Sequence, residues 1–283
     1  MNNRLYVTDL DGTLLNSQMS LSPFSMDTLN RLIGLGARIT FSTARSFYTA
    51  SLMLKNVHFK LPCITYNGVY VMNPVTEEII RKNILNKEIF MDVVEMSSKL
   101  GLHPYVFGIN TNKDEKMIYT SMENNAQIQF ISERERRNDR RLEKVNRISS
   151  YDFDEVININ FLYAEEVIRT LEKEVRKKYE NSICVKVMKD IYNAGYFHLE
   201  ISDRLANKGA MLKYVGELLN IDSADITVFG DQANDLEMFA AAGEKIAVAN
   251  AEDALKLCAD YIIEGNDEDG VTKYLAKVFA GQP

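Results

Sequence analysis

The sequence predicts an α/β fold: a doubly wound, Rossmann-like parallel-sheet core carrying an inserted α+β domain. Three observations carry this. The first third alternates short apolar runs with amphipathic segments, the last third repeats that style, and the middle changes texture. The expected boundaries are 1–83 and 191–283 for the core and 84–190 for the insert.

In order along the chain, "RLYVTDL" reads as a buried strand. Ser22-Pro23 then opens a helix with an N-cap and a first-turn proline, Leu29, Leu32 and Ile33 form its stripe, and Gly36 closes it. "ARITFST" is a second strand, "RSFYTASLMLKNV" a second helix and "PCITYNG" a third strand. This βαβαβ order implies parallel strands covered by helices. In the insert, "KEIFMDVVEMSSKLG" and "AEEVIRTLEKEVRKKY" read as helices, and "LHPYVFGI", "KMIYT", "DEVININFLY" and "ICVKVMKD" as strands. The charge run at 133–147 mixes both signs and reads as a solvated helix or loop, with the lining of an anion site as the alternative. In the last third "NKGAMLKYVGELLN" is a helix, "DITVFGD" a strand and "NDLEMFAAAG" a helix stopped by Gly243. "KIAVA" and "DYIIEG" follow as strands around the short helix "AEDALKLCA".

The 283 residues suffice for a sizeable core, and 46% hydrophobic with 26% charged content is ordinary for a soluble globular protein. A net charge of −7 argues against non-specific nucleic-acid binding, which needs a basic surface, and leaves room for a small anionic substrate. Cys63, Cys184 and Cys258 encode neither a disulfide framework nor a CxxC metal site. No apolar run has signal-peptide or membrane-span length, so the expectation is a reduced, cytoplasmic, soluble protein without membrane partners. Nothing in the chain sets an oligomeric state.

Chemistry concentrates at the ends of the predicted strands, where parallel sheets bind ligands. Asp9 and Asp11 stand two apart after the first strand, a spacing that turns both carboxylates to one side of an extended chain and lets each raise the other's pKa. Gly12 permits a tight turn, and Thr13 offers a hydroxyl donor. Thr43 ends the second strand, where it suits either a phosphate oxygen or an ST-turn. Lys208 opens a helix, against the dipole, unless an anion is close. Asp231 ends the "ITVFGD" strand, with Asn234 and Asp235 at the next helix start, where an acid also serves as a cap. Together these termini supply what phosphoryl transfer needs: carboxylates for Mg²⁺ and cations or N–H groups for phosphate oxygens.

The ordered set DLDGTLL, STAR, ITYNG, NKG, GDQAND resembles the haloacid dehalogenase-like superfamily of aspartyl-phosphate phosphatases. Within it, the pattern is similar to the Cof-type subfamily, whose large α/β cap is inserted between the second and third motifs. The resemblance runs from residue 4 to about 275. It implies Asp9 as nucleophile, Asp11 as general acid/base, and Mg²⁺ held by Asp9, the Asp11 carbonyl and Asp231. It further implies Thr43 and Lys208 on the phosphoryl group, Asn234 assisting, Asp235 holding metal waters or Lys208, and Arg45 with Asn67 lining the substrate pocket. The chain departs from the subfamily at Ala44, Asp203 and Ala249, where glycine, proline and glycine are usual. The implied activity is Mg²⁺-dependent hydrolysis of small phosphomonoesters, with sugar phosphates as the family-level substrate. A sugar-phosphate mutase and a low-turnover phosphometabolite-binding regulator are the alternatives. His58, His103 and His198 lie outside the motifs and suggest no metal cluster.

Overall fold

The computed structural model describes residues 3–190 and 192–281. It divides into two units, Met1–Lys82 with Ala206–Pro283, and Asn83–Leu205.

The first unit is built on a five-stranded parallel sheet, ordered Tyr261–Ile263, Glu244–Val248, Ile226–Gly230, Leu5–Thr8, Arg38–Phe41. Leu5 pairs with Ile226 on one side and Arg38 on the other, so the first strand sits where the winding reverses. Ligand crevices form at the carboxyl ends of such strands. Ser22 caps the helix Pro23–Gly34 by accepting from the Ser25 N–H, and Leu29, Leu32 and Ile33 are its buried apolar residues. The second helix is shorter than expected, Phe47–Met53: Ser46 caps its start and Leu54 its end, so residues 54–57 lie outside it. The third strand, Cys63–Thr65, is joined to the parallel sheet through the isolated Ser42–Ile64 bridge. Its continuous partner is the antiparallel strand Tyr70–Met72, which pairs in turn with Ile79–Lys82. That hairpin is absent from the sequence reading.

The second unit is a six-stranded sheet ordered Ile183–Lys189, Tyr196–Asp203, Phe153–Ala164, Tyr105–Asn110, Glu115–Tyr119, Leu142–Lys144. All neighbours are antiparallel except the last pair. The helices Lys87–Lys99 and Glu165–Tyr179 bury Phe90, Val93, Ile168, Leu171 and Val175 against Val106, Ile159, Phe161, Leu199 and Ile201. The helix Asn125–Arg136 contributes Ala126 and Ile131 to a second cluster with Tyr105, Met117, Tyr119 and Leu162. Alternation along the strands sends successive side chains to the two clusters.

Two expectations are corrected here. The insert does not end at 190; Ile191 lies outside the described residues, but Tyr196–Asp203 pairs with Ile183–Lys189 and Phe153–Ala164, carrying the second unit to Leu205. The run at 133–147 is not wholly solvated either. Arg134 lies 3.5 Å over the Phe130 ring, and Arg141 bonds Glu115 and Asp139 with 19% of its side chain exposed. No helix among the described residues is long and apolar enough to cross a membrane.

Candidate active site

The first strand ends at Thr8, and the Asp9 N–H still reaches Phe229 O (2.9 Å), so Asp9 is held at the strand pair's carboxyl end, 5% exposed. The chain then turns at Gly12 (φ +73°), where a Cβ would collide with the Asp231 carboxylate. Only glycine combines that backbone with that approach. The next residue, Thr13, donates its hydroxyl to Asp231 Oδ1 at 3.0 Å. Residues 12 and 13 thus seat a carboxylate more than two hundred residues away.

Lys208 is the first residue of the helix Lys208–Leu219, whose N-cap Asn207 accepts from the Ala210 N–H. Its side chain is fully buried, and Nζ donates to Asp9 Oδ1 (2.5 Å) and Asp235 Oδ1 (2.6 Å). These anions compensate for a cation at a helix N-terminus. The other Asp235 oxygen accepts from the N–H groups of Asp231 (3.0 Å) and Gln232 (3.3 Å). A side chain at Gly230 would press into Asp235, which explains a glycine at that strand end.

Asp9, Asp231 and Asp235 each offer an oxygen within 4.8 Å of the others, and all three are buried. Burial holds the Asp9 carboxyl well above the ordinary value; Lys208 opposes that shift, and Asp235 and Asp231 reinforce it. Burial, then Asp235, pushes Asp231 up to about 7. Burial works against the Lys208 ammonium, but Asp235 and Asp9 outweigh it and raise its pKa. Three carboxylates around one ammonium leave a formal excess of two negative charges in a dry site, and all free donors are oxygen. That arrangement is able to hold a hard divalent cation.

Asp11 lies at the edge of this cluster, outside the Lys208 contacts but near enough for its charge to add to the raising of Asp231. Past Thr8 the chain is no longer extended, and the acids that act on Asp9 are Asp235 and Asp231 rather than Asp11. The Asp11 side chain, 41% exposed, receives both arms of the Arg45 guanidinium, Nε to Oδ2 at 2.6 Å and one terminal nitrogen to Oδ1 at 2.5 Å. Thr43 is fully buried, with its hydroxyl accepting from the Arg45 N–H (3.1 Å) and its carbonyl from the Asn67 N–H (2.9 Å). The first of these is the ST-turn geometry. Asn67 (φ +52°) accepts from Asn234 Nδ2 at 3.4 Å.

The candidate residues therefore form an interlocked core of Asp9, Gly12, Thr13, Lys208, Asp231 and Asp235, an Asp11–Arg45 pair, and a group of Thr43, Asn67 and Asn234. Sequence reasoning missed two supports. Asn250 Nδ2 donates to Gly12 O (2.7 Å), and the Glu252 N–H donates to Asp231 O (2.8 Å). Neither residue type signals such a role by itself. The histidines lie elsewhere: His198 bonds Asp190 and Asn160, His103 bonds Glu123 and Thr120, and His58 bonds Asn30.

Residues 6–275 match a family model described as haloacid dehalogenase-like hydrolase. The chain is 25% identical over 285 residues to the 5-amino-6-(5-phospho-D-ribitylamino)uracil phosphatase YitU of Bacillus subtilis, covering 98% of this chain and 97% of that one. It is 24% identical over 286 residues to the phosphatase YwpJ of the same organism, covering 95% and 97%. Among solved structures, TM0651 from Thermotoga maritima superposes with a TM-score of 0.74 at 25% identity, with 97% of each chain covered.

Proposed function

Because the chain belongs to the haloacid dehalogenase-like hydrolase family and its relatives are phosphatases, we propose that it is a cytoplasmic, Mg²⁺-dependent phosphatase of small phosphomonoesters, sugar or polyol phosphates among them. The observation that carries this reading is the buried Lys208 ammonium, bonded at once to Asp9 and Asp235 beside Asp231. Such a site brings together a nucleophilic carboxylate, a cation for phosphoryl oxygens and an oxygen-only donor set.

In this reading Asp9 attacks phosphorus through its carboxylate oxygen, and the bond to the leaving oxygen breaks as Asp11 delivers a proton to it. Asp11 then takes a proton from water, which cleaves the aspartyl phosphate and frees Asp9. Lys208 draws charge from the transferring group, with Thr43 and Asn234 supplying further donors. Mg²⁺ would be held by Asp9, the Asp11 carbonyl and Asp231, with Asp235 bracing Lys208 or metal-bound water, and would neutralise charge on the phosphoryl oxygens. The unit Asn83–Leu205 is the part of the chain assigned to substrate choice in this reading, and Arg45 and Asn67 are pocket residues of the first unit. The name of the YitU relative supports small polyol phosphates as the first class to try.

The test is phosphate release from a panel of sugar, polyol, nucleotide and cofactor phosphomonoesters with Mg²⁺. Chelation should abolish release, and Mg²⁺ should restore it far better than Ca²⁺, which favours looser, higher coordination. Full activity after exhaustive chelation overturns the metal assignment. Substitutions within 83–205 should reorder the substrates more than they slow a small generic ester; an unaltered ranking would remove the selective role from the cap.

A further inference from the structure

Arg45 contributes more than a wall of the pocket. Its main chain is pinned on both sides, the N–H donating to Thr43 Oγ1 (3.1 Å) and the carbonyl accepting from the Tyr66 N–H (2.9 Å). From that fixed base the guanidinium spans to Asp11, engages both carboxylate oxygens (2.6 and 2.5 Å) and brings one terminal nitrogen to 3.3 Å from Met19 Sδ. Only 20% of the Arg45 side chain is exposed, so the fork is largely screened from competing water. A bidentate Arg–carboxylate pair fixes the plane of the carboxylate as well as its position, which a lysine cannot do.

We infer that Arg45 is the positioning residue for Asp11, and that its guanidinium aims the Asp11 carboxyl for proton delivery. The inference rests on the phosphatase reading above. The two-point contact suits the task. To carry the proton for the leaving oxygen, Asp11 must release one arm of the fork; the second arm keeps the group aimed. The proton then passes from that Asp11 oxygen to the leaving alkoxide as the P–O bond breaks. In the second step a water proton returns to Asp11 as the water oxygen bonds phosphorus and Asp9 leaves. Asp11, half-exposed and not bonded to Lys208, has this fork as its only side-chain hydrogen bonding among the described residues. Loss of the fork therefore leaves its rotamer to solvent.

The decisive experiment is a double-mutant cycle. kcat and KM are measured for an alkyl phosphomonoester that the wild type hydrolyses, and single-turnover nitrophenolate release for nitrophenyl phosphate. The proteins are the wild type, Arg45→Ala, Arg45→Lys, Asp11→Asn, and Asp11→Asn with Arg45→Ala. Mispositioning of a reacting group costs up to about 10²-fold, so Arg45→Ala should lower kcat on the alkyl ester by about 10-fold or more, with KM nearly unchanged. The nitrophenyl first step, which hardly needs a proton, should change less. In the Asp11→Asn background Arg45→Ala should cost nothing further. Arg45→Lys, which keeps the charge but not the fork, should show the same pattern and serves alone if the alanine variant does not fold. Equal losses on both esters, a loss confined to KM, or factors that multiply in the double variant would overturn the inference and place Arg45 on the substrate. A wild type that hydrolyses no phosphomonoester would instead overturn the phosphatase reading.

Discussion

Replacing Lys208 with Met tests whether the buried ammonium is the counter-charge on which the acidic cluster depends. The side chains of Lys208 and Asp235 are fully buried and that of Asp9 is 7% exposed, so solvent has little access to take the lysine's place. Removing one partner of a buried ion pair typically costs about 3–5 kcal/mol. Taking a positive charge off a helix N-terminus returns roughly 0.3–1 kcal/mol, and methionine keeps most of the volume. A net loss of about 3 kcal/mol is expected in metal-free protein at pH 8. The loss should depend on pH, with a definite sign. The Asp9 carboxyl is already raised by burial, and without Lys208 it rises further. An acid whose folded pKa exceeds its unfolded value carries no penalty below the unfolded pKa, where both states are protonated. The penalty then grows as pH climbs toward the folded pKa. The difference between variant and wild type should therefore be small near pH 4 and largest at pH 8. Urea titrations followed by circular dichroism at both pH values, with chelator present, measure it. A loss under about 1 kcal/mol at both pH values would mean that the carboxylates find other compensation, and the reasoning would fail.

Three further outcomes follow from the same geometry. Asp11→Asn should release a burst of nitrophenolate near the enzyme concentration and then turn over slowly as phosphoenzyme accumulates, because nitrophenolate needs little protonation and the water step lacks its base. Asp9→Asn should show neither burst nor label. Gly12→Ala, which sets a Cβ against Asp231 at φ +73°, should weaken Mg²⁺ binding by roughly 10–100-fold, the usual range for disturbing a ligand's support; titration calorimetry reads it, and wild-type affinity would count against Asp231 as a ligand. In metal-free wild type, the Asp231 carboxyl near 7 means that stability falls as pH rises from about 4 to 7, by up to about 4 kcal/mol at 1.36 kcal/mol per pKa unit. Asp231→Asn should flatten that slope, and a slope left unchanged would assign it to other groups.

What the sequence decided by itself is local. An apolar run ending in a small polar or acidic residue marks a buried strand and its carboxyl end, so the strands that precede Asp9, Thr43 and Asp231 were readable. So was the cap at Ser22, because a capping side chain bonds its own neighbours. The strand Tyr196–Asp203 was equally readable and was overlooked. Leu199 and Ile201 alternate with His198, Glu200 and Ser202, the period of a strand with two unlike faces, and missing it set the second domain boundary too early. The hairpin after Thr65 was hidden for a different reason: its outer strand, Ile79–Lys82, is exposed to half-buried and shows no buried stripe.

Which carboxylates share a site was decided only by tertiary structure. The pairing of Leu5 with Ile226 brings Asp9 to Asp231, and the 3₁₀ turn after Gln232 adds Asp235. Spacing along the chain favoured Asp11, but the strand stops at Thr8 and the turn at Gly12 frees Asp11 for Arg45, thirty-four residues on. The Asn250 bond to Gly12 spans still farther. Strand register and loop closure set these contacts, and both are properties of the packed sheet. No single segment encodes them, because each residue's own preferences extend only to its neighbours in the chain.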